Sequence, residues 1–386
     1  MRVFIIAGEP SGDRLGAALM AGLQELVPGV TFDGIGGDGM QGQGLTSRFP
    51  MEELSVMGIT EILPRYRALM ARIRETAQAV IDTRPDVLIT IDSPDFSLRV
   101  ASRVKAASDV RTVHYVAPTV WAWRPGRARK MSAFIDHVLA VLPFEPPLMT
   151  AHGMDCDFVG HPVVAERQAD NDEALAFRAR HGIGEAPLVL VLPGSRRGEV
   201  GRLAPVFGAA LGSLQNDVPG LRIVVPAAAP VADMVRDLAG KWPVPALVLD
   251  PREETTDRAI AEKRAAFRAA DVALAASGTV SLELAAARTP MVIAYNMQWL
   301  TFRIIKAMAL IDTVTLVNLV TDTRVVPEYL GPACTPENIA AGLRRVLANP
   351  GDQMAAMELT MQRLGEGGEA PGLRAARAVI DGLARS

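Results

Sequence analysis

The order of short apolar runs and amphipathic segments constrains the fold of this chain most strongly. A first series of runs rich in Val, Ile and Leu lies at 2–7, 30–35, 86–91, 111–116, 137–142 and 156–160. A second series lies at 187–192, 221–225, 246–249, 271–275 and 290–294. Runs of this kind are typical of parallel strands that are covered on both faces, and the segments between them have helical periodicity. The pattern predicts an α/β chain with two doubly wound, Rossmann-like sheets.

The polar segment 160–173 separates the two series and is the predicted domain boundary. We expect an N-terminal domain over 1–165, a second domain over 166–350, and helices over 351–386 that cross back toward the first domain. Because ligands of doubly wound domains bind beyond the carboxyl ends of the strands, we expect the two domains to face each other across a ligand cleft.

Composition excludes several classes of protein. The chain has 386 residues, 49% of them hydrophobic and 22% charged, as in folded globular proteins. A net charge of −3 argues against a nucleic-acid partner. The two cysteines are too few for a disulfide framework, which favours a cytoplasmic location. We expect neither a secretory signal nor a membrane span, since Arg303, Lys306 and Asp312 interrupt the longest apolar region.

The turn after the first run, Gly8 to Asp13, resembles the start of a dinucleotide site without matching it. Its glycines are spaced G-x-x-x-G instead of G-x-G-x-x-G, and Glu9 would repel a pyrophosphate. A simpler interpretation makes Ser11 or Asp13 a helix cap. The spacing therefore argues against dinucleotide binding.

Asp92 ends the third run and precedes Ser93, Pro94 and Asp95, residues that suit the start of a helix. At the carboxyl end of a parallel strand, this carboxylate is placed to act as a general base on a bound hydroxyl. The sequence supports equally the alternative in which Asp92 only caps the next helix.

Two loops of the second domain predict a nucleoside diphosphate site. Gly194 and Ser195 form a tight turn after the first strand, and Arg196 or Arg197 supplies a fork of donors for phosphate oxygens. The alternative is a solvated basic loop.

A second turn of the same kind contains Ser277, Gly278 and Thr279, and Glu283 follows one helical turn later. Its carboxylate suits the two hydroxyls of a ribose. The alternative is an ordinary capping box in which Ser277 or Thr279 is the cap.

Two further segments have more than one interpretation. The segment 114–131 combines aromatic residues with four cations, but the acidic net charge argues against nucleic-acid stacking. The segment 64–81 places Tyr66, Leu69, Met70 and Ile73 at helical spacing between arginines. This pattern fits a helix facing the core or one lying on an anionic lipid surface.

Taken together, these motifs resemble the lipid-A-disaccharide synthase family, a family of inverting glycosyltransferases. The resemblance runs through most of the chain, in the stretches AGEPSGD, MEELSVMGITEIL, IDSPDF, HYVAPTVWAWRPGR, LPFE, FVGHP, LPGSRRGEV, ASGTVSLELA and TLVNLV. Two positions depart from the family pattern: Pro10 replaces a small residue, and Gly331 stands where glutamine is common.

The resemblance implies a GT-B fold. Because Arg196 and backbone amides can neutralise a leaving diphosphate, we expect a reaction that needs no metal or other cofactor. The implied donor is UDP-2,3-diacylglucosamine, the implied acceptor is 2,3-diacylglucosamine 1-phosphate, and the products are a β-1,6-linked disaccharide and UDP. It also implies peripheral association with the cytoplasmic face of the inner membrane, which favours lipid contact by the helix 64–81. The rival interpretation is a UDP-sugar 2-epimerase of the same fold.

The resemblance also assigns roles to residues. Asp92 matches the general base and Arg196 the arginine at the donor phosphates, while further donor-site positions match Ser277, Thr279, Glu283 and Asn318. We expect the acceptor side of the cleft to contain Glu9, Ser11, Gly12 and His161.

Overall fold

The computed structural model describes residues 1–54, 59–297, 302–303 and 308–385, and of residues 59–66 it describes the backbone. Within it the chain forms two compact units. Unit 1 comprises Met1–Ala165 and Leu364–Ser386, and unit 2 comprises Glu166–Arg363.

Unit 1 contains one parallel sheet covered by helices. Its strands are β1 (Arg2–Ala7), β2 (Thr31–Ile35), β3 (Val87–Ile91), β4 (Arg111–Tyr115), β5 (His137–Ala140) and β6 (Asp155–Phe158). Its first helices are α1 (Pro10–Leu26), α2 (Asp38–Gly42), α3 (Ile59–Thr83), α4 (Pro94–Lys105), α5 (Gly126–Met131) and α6 (Pro146–Thr150), with short 3-10 turns at Met51–Leu54 and Pro162–Ala165. Proline begins α1, α4 and α6, where its missing N–H costs no hydrogen bond.

Unit 2 contains a second parallel sheet. Its strands are β7 (Leu188–Leu192), β8 (Arg222–Pro226), β9 (Ala246–Leu249), β10 (Val272–Ala275), β11 (Met291–Tyr295) and β12 (Glu328–Leu330). Its helices are α7 (Asn171–Arg180), α8 (Arg197–Asp217), α9 (Ala232–Ala239), α10 (Thr256–Ala269), α11 (Val280–Ala286), α12 (Leu316–Thr321), α13 (Pro336–Ala348) and α14 (Gly351–Leu364). Short 3-10 turns lie at Ala229–Val231, Pro251–Glu253 and Gly331–Ala333. The predicted fold class is confirmed, and β12 is a strand that the sequence pattern did not predict.

The last helix, α15 (Pro371–Ala384), packs against α1 in unit 1. The two helix backbones approach closely at a pair of glycines. A Cβ atom on Gly22 would lie 2.8 Å from the carbonyl oxygen of Gly372, and one on Gly372 would lie 2.6 Å from that of Ala18. The absence of side chains at both positions permits this contact.

The order of the strands places the sequence motifs. The order is β2-β1-β3-β4-β5-β6 in unit 1 and β12-β11-β10-β7-β8-β9 in unit 2. The chain therefore reverses direction across the sheet between β1 and β3, and again between β7 and β10. Ligands of open α/β sheets bind at such switch points, beyond the carboxyl ends of the strands. The turns that start at Gly8 and Asp92 flank the first switch point, and those that start at Pro193 and Ala276 flank the second.

Candidate functional site

A cavity of about 1350 Å³ lies at the switch point of unit 2. Its walls come from the turns after β7 and β10, the loops after β8 and β9, and the helices α7 and α10. Seven of the eight predicted donor-site residues line it: Gly194, Ser195, Arg196, Ser277, Gly278, Thr279 and Glu283.

The turn after β7 depends on Gly194. Its φ of +108° lies where only glycine is unstrained, and a Cβ atom there would lie 2.7 Å from Oε2 of Glu199. Glu199 also lies 3.4 Å from the nearest guanidinium nitrogen of Arg196. The Arg196 side chain is 66% exposed, and α8 begins at the next residue with its first backbone amides unused by the helix. This turn combines an exposed cation with amide donors, which suits a phosphate group.

The turn after β10 leaves its hydroxyl groups available. Thr279 is the N-cap residue of α11, yet its side chain makes no capping hydrogen bond. The hydroxyl of Ser281 instead donates to the carbonyl oxygen of Gly278 at 3.0 Å. The capping box considered from the sequence is therefore not formed.

Glu283 has a partner that sequence reasoning missed. Nζ of Lys263, on α10, lies 2.6 Å from Oε2 of Glu283, and both side chains line the cavity. Lys263 precedes Glu283 by 20 residues, so no local spacing indicated the pair. The ammonium group orients the carboxylate and leaves Oε1 available to accept from a diol.

A buried carboxylate fixes the loop after β9. The Asp250 side chain is 1% exposed and accepts from Nε of Arg252 at 2.9 Å and from Nη2 of Arg236 at 3.0 Å. Hydrogen bonds from Arg252 are the main reason that the pKa of Asp250 is lowered to about 2. This carboxylate therefore stays ionised and gives the cavity one rigid wall.

Asn318 has a different position from the other donor-site candidates. It is buried, its amide group donates to the hydroxyl of Thr313 at 3.1 Å and to the carbonyl of Val326 at 3.0 Å, and its oxygen accepts from the N–H of Val326. These bonds tie together the two ends of the segment 313–326. In this structure Asn318 is outside the cavity lining and its amide is already used.

At the switch point of unit 1, Asp92 is half-buried with strained backbone. Asp92 and Ser93 have φ of +46° and +45°, a region that costs non-glycine residues energy and is concentrated at functional sites. Within the described residues the Asp92 carboxylate has no hydrogen-bond or ion-pair partner. Ser93 makes no capping bond with its side chain. The site therefore presents an unneutralised carboxylate at the strand end, as a general base requires.

The opening turn contacts the Asp92 turn, because a Cβ atom on Gly8 would lie 2.6 Å from Oγ of Ser93. Glu9 is half-buried and Ser11 is exposed, both near this edge. Gly12, expected on the acceptor side, is buried against Ile91 and is unavailable to a substrate in this structure.

Asp13 occupies the position at which a G-x-G-x-x-G fingerprint starting at Gly8 has its third glycine, and the structure shows what this acid does. Its carboxylate, 7% exposed, accepts from the backbone amides of Gly37 at 2.8 Å, Gly39 at 2.9 Å and Met40 at 3.1 Å. These amides lie at the start of α2, so the Asp13 carboxylate takes the place that an anion would occupy at this helix N-terminus. Asp33, which a dinucleotide site would need for ribose, is paired with Arg48 instead. Both observations argue against a dinucleotide in unit 1.

His161, also expected on the acceptor side, is largely desolvated. Its Nδ1 accepts from the backbone amide of Val163 at 3.2 Å, and its own amide donates to the carbonyl of Leu364 at 3.1 Å. Burial lowers the pKa of His161 to about 4, so the ring is neutral at pH 7. It serves as a hydrogen-bonding group and carries no charge.

Helix α3 presents only part of its predicted lipid-facing side. Ile73 is completely buried in the core of unit 1 and cannot reach a membrane surface. Leu69 and Met70 are half-buried, and the side chain of Tyr66 lies outside the described residues. Among the helices that the structure describes, none is long and apolar enough to cross a bilayer.

Glu145 is a second residue that the sequence did not indicate. It is 1% exposed, beyond the end of β5, and accepts from Nε1 of Trp121 at 3.2 Å and from the amide of Leu142 at 3.0 Å. Burial raises the pKa of Glu145 to about 7. It anchors the aromatic segment that follows β4.

Comparison with known proteins identifies the family of the chain. The family described as lipid-A-disaccharide synthetase matches residues 3–369. The chain is 66% identical over 383 residues to a lipid-A-disaccharide synthase of Ruegeria pomeroyi, covering 99% of this chain and 96% of that protein. It is 47% identical over 385 residues to one of Rhodospirillum centenum, covering 98% and 94%.

Among solved structures, the chain resembles a UDP-GlcNAc 2-epimerase from Neisseria meningitidis bound to UDP-GlcNAc. The TM-score is 0.66 with 12% sequence identity, and the match covers 100% of both chains. An identity this low bears on the fold alone, and the fold is of the GT-B type. It gives no support to epimerase activity over glycosyl transfer.

Proposed function

The chain belongs to the lipid-A-disaccharide synthetase family, as its motifs predicted, and is a glycosyltransferase; from this premise we propose its substrates and the roles of its site residues. The donor is UDP-2,3-diacylglucosamine and the acceptor is 2,3-diacylglucosamine 1-phosphate. The products are a β-1,6-linked disaccharide 1-phosphate and UDP. The observation that supports this most is the clustering of seven donor-site residues around one cavity at a switch point.

In unit 2 the diphosphate of the donor is bound at the turns after β7 and β10. Arg196 and the first amides of α8 donate to phosphate oxygens and neutralise the charge that develops on the leaving UDP. Glu283 accepts from the ribose hydroxyls. Because a cation and fixed amides stabilise the leaving group, turnover is expected to be unchanged by a metal chelator.

In unit 1, Asp92 removes the proton from the acceptor's 6-hydroxyl as its oxygen attacks the anomeric carbon of the donor. The C–O bond to UDP breaks on the opposite face, so the configuration inverts. Glu9 and Ser11 hydrogen-bond the hydroxyls of the acceptor sugar. A neutral His161 contributes a hydrogen bond there without competing for the proton.

The protein associates peripherally with the cytoplasmic face of the inner membrane through α3. Leu69 and Met70 contribute the apolar contact, and the exposed Arg67 and Arg74 on the same helix attract anionic lipids. Co-sedimentation with vesicles containing phosphatidylglycerol is expected to weaken when Leu69 and Met70 are changed to serine. Unchanged co-sedimentation of that variant would exclude α3 as the contact.

The experiment that tests the proposed reaction is incubation of the purified chain with both diacylated sugars in detergent, followed by mass analysis. The expected result is disaccharide 1-phosphate and UDP in equal amounts, and no product when the acceptor is omitted. Conversion of the sugar nucleotide without acceptor would favour an epimerase, and no conversion of either sugar would contradict the proposal.

A further inference from the structure

The segment 124–130, called the basic loop below although its residues 126–130 belong to the short helix α5, contains an unusual concentration of positive charge. It carries four cations in seven residues, namely Arg124, Arg127, Arg129 and Lys130. Arg127 is half-buried and the other three are exposed. Within the described residues none of the four forms an ion pair, whereas many other arginines of the chain do. The charge of the basic loop is therefore not neutralised by the protein itself.

The basic loop is anchored to the body of unit 1. The preceding residues are fixed by the bond from Trp121 to the buried Glu145, and by the bond from Nε1 of Trp123 to Oγ1 of Thr119 at 3.2 Å. The guanidinium carbon of Arg124 lies 4.2 Å from the ring centroid of Trp123, which is 40% exposed. Cation–π contact of this kind orients a guanidinium group without neutralising it. An anchored cation loses less entropy on binding an anion than a free one.

The basic loop follows the strand next to Asp92. β4 pairs with β3, and the backbone amide of Asp92 donates to the carbonyl oxygen of Tyr115 at 3.1 Å. Val116, the next residue, has a φ of +78°, which is strained for a β-branched side chain. Burial, and secondly the charge of Arg127, lowers the pKa of His114 on β4 to about 4.

We infer that the basic loop binds the phosphate monoester of the acceptor sugar. This inference rests on the proposed function, in which the acceptor carries a phosphate at C1 and reacts at the hydroxyl on C6; C1 and C5, which bears C6, are the two ring carbons bonded to the ring oxygen. The basic loop and Asp92 lie beyond two neighbouring strands of one sheet edge, so a single sugar is positioned by its phosphate while its hydroxyl is deprotonated. A guanidinium group suits a phosphate dianion because its donors form a planar fork.

A charge-removing variant with a matched control tests the inference. The variant changes Arg124, Arg129 and Lys130 to glutamine, which keeps side-chain length and spares the half-buried Arg127. The control removes the same charge from exposed cations of unit 2 that form no ion pair in the described part of the chain, by changing Arg222, Lys241 and Arg345 to glutamine. Each protein is assayed in neutral detergent with the phosphorylated acceptor and with its analogue lacking the phosphate.

We expect kcat/KM of the variant to fall roughly 10- to 100-fold with the phosphorylated acceptor, since several charge-assisted hydrogen bonds are lost. The variant's kcat/KM with the analogue lacking phosphate and its KM for the UDP donor should be nearly unchanged. The control protein should show nearly wild-type values with both acceptors. Equal losses with both acceptors, or no loss, would overturn the inference. The inference would also be overturned if the variant kept its preference for the phosphorylated acceptor but bound phosphatidylglycerol vesicles more weakly. The basic loop would then bind lipid headgroups.

A binding measurement separates this inference from the proposed reaction. Glucosamine 1-phosphate is titrated into the wild-type protein and the variant by calorimetry, with glucosamine as the probe lacking phosphate. Phosphate-dependent binding that the variant loses would support the basic loop as the site even if no disaccharide forms. Equal binding of glucosamine 1-phosphate by both proteins would overturn the inference even if the reaction proceeds.

Discussion

Replacement of Asp13 tests how the first switch point is built. Its buried carboxylate accepts three backbone N–H bonds from the start of α2, at 2.8, 2.9 and 3.1 Å. Hydrogen bonds to charged groups contribute about 1.5–3 kcal/mol each, but they are not additive, and water partly replaces them. Asp13→Ala should therefore lower the free energy of unfolding of unit 1 by about 3–5 kcal/mol, a large part of a typical domain's stability.

Asp13→Asn refines the prediction. Oδ1 accepts from Gly37 and Met40, so an amide oxygen there keeps both bonds, while the new NH₂ group meets the N–H of Gly39. We expect a loss of about 2–3 kcal/mol for this variant. Asp38→Asn is the control, since Asp38 is exposed in the same turn and should cost less than about 1 kcal/mol. Hydrogen exchange of peptides from 2–42, followed at increasing urea concentration, measures the free energy of unfolding of both variants. Equal stability of the Asp13→Asn and Asp38→Asn proteins would refute the reasoning.

Three further variants test separate parts of the site. Asp92→Asn should lower kcat by about 10²–10⁴-fold and leave the affinity for UDP unchanged. The control Asp95→Asn, on the exposed side of α4, should remain active. A fully active Asp92→Asn enzyme would show that Asp92 is not the general base. Lys263→Met should weaken UDP binding about 2- to 5-fold, because the half-exposed ion pair with Glu283 contributes at most about 1 kcal/mol. It should also reduce the preference for UDP over 2′-deoxy-UDP, and Lys263→Arg should restore both properties. Calorimetry that finds the preference unaltered would exclude this role. Glu145 has a pKa of about 7 when folded and an ordinary value of 4.5, so it stays protonated in the native state after the unfolded chain has lost its proton. Its contribution to the free energy of unfolding is therefore full below pH 4.5 and falls by roughly 3 kcal/mol as pH rises through about 7. Urea titrations at several pH values should show that Glu145→Gln abolishes this pH dependence of stability. An unchanged pH dependence would assign it to another group.

The parallel strands were predictable because buried strands of such sheets are continuous apolar runs, and the motifs at their ends followed from the same pattern. Gly194 and Gly278 were identifiable in the same way, since tight turns after strands favour glycine. The three-residue strand β12 has no such run, and its sequence Glu-Tyr-Leu gives no periodicity. It forms because β11 offers an unpaired edge to the passing chain.

Long-range partners were not predictable from spacing. Lys263 reaches Glu283 only because α10 and α11 border the same cavity, and Asp13 meets Gly37 through the β1–β2 pairing. The periodicity of α3 identified an apolar stripe but not what covers it, and the structure buries Ile73 in the core of unit 1. Asn318 was assigned to the donor site from the family resemblance alone, and its hydrogen bonds to Thr313 and Val326 had no signal in the sequence.

The central claim is that the cavity of unit 2 binds the UDP part of the donor. Hydrogen exchange of the full chain, measured with and without saturating UDP, tests it most directly. We predict that UDP gives its strongest protection to peptides covering 193–199 and 276–283, and that Arg196→Ala diminishes this protection. Strong protection confined to 8–13 and 92–96, with exchange at the unit 2 turns unchanged by UDP, would contradict the account.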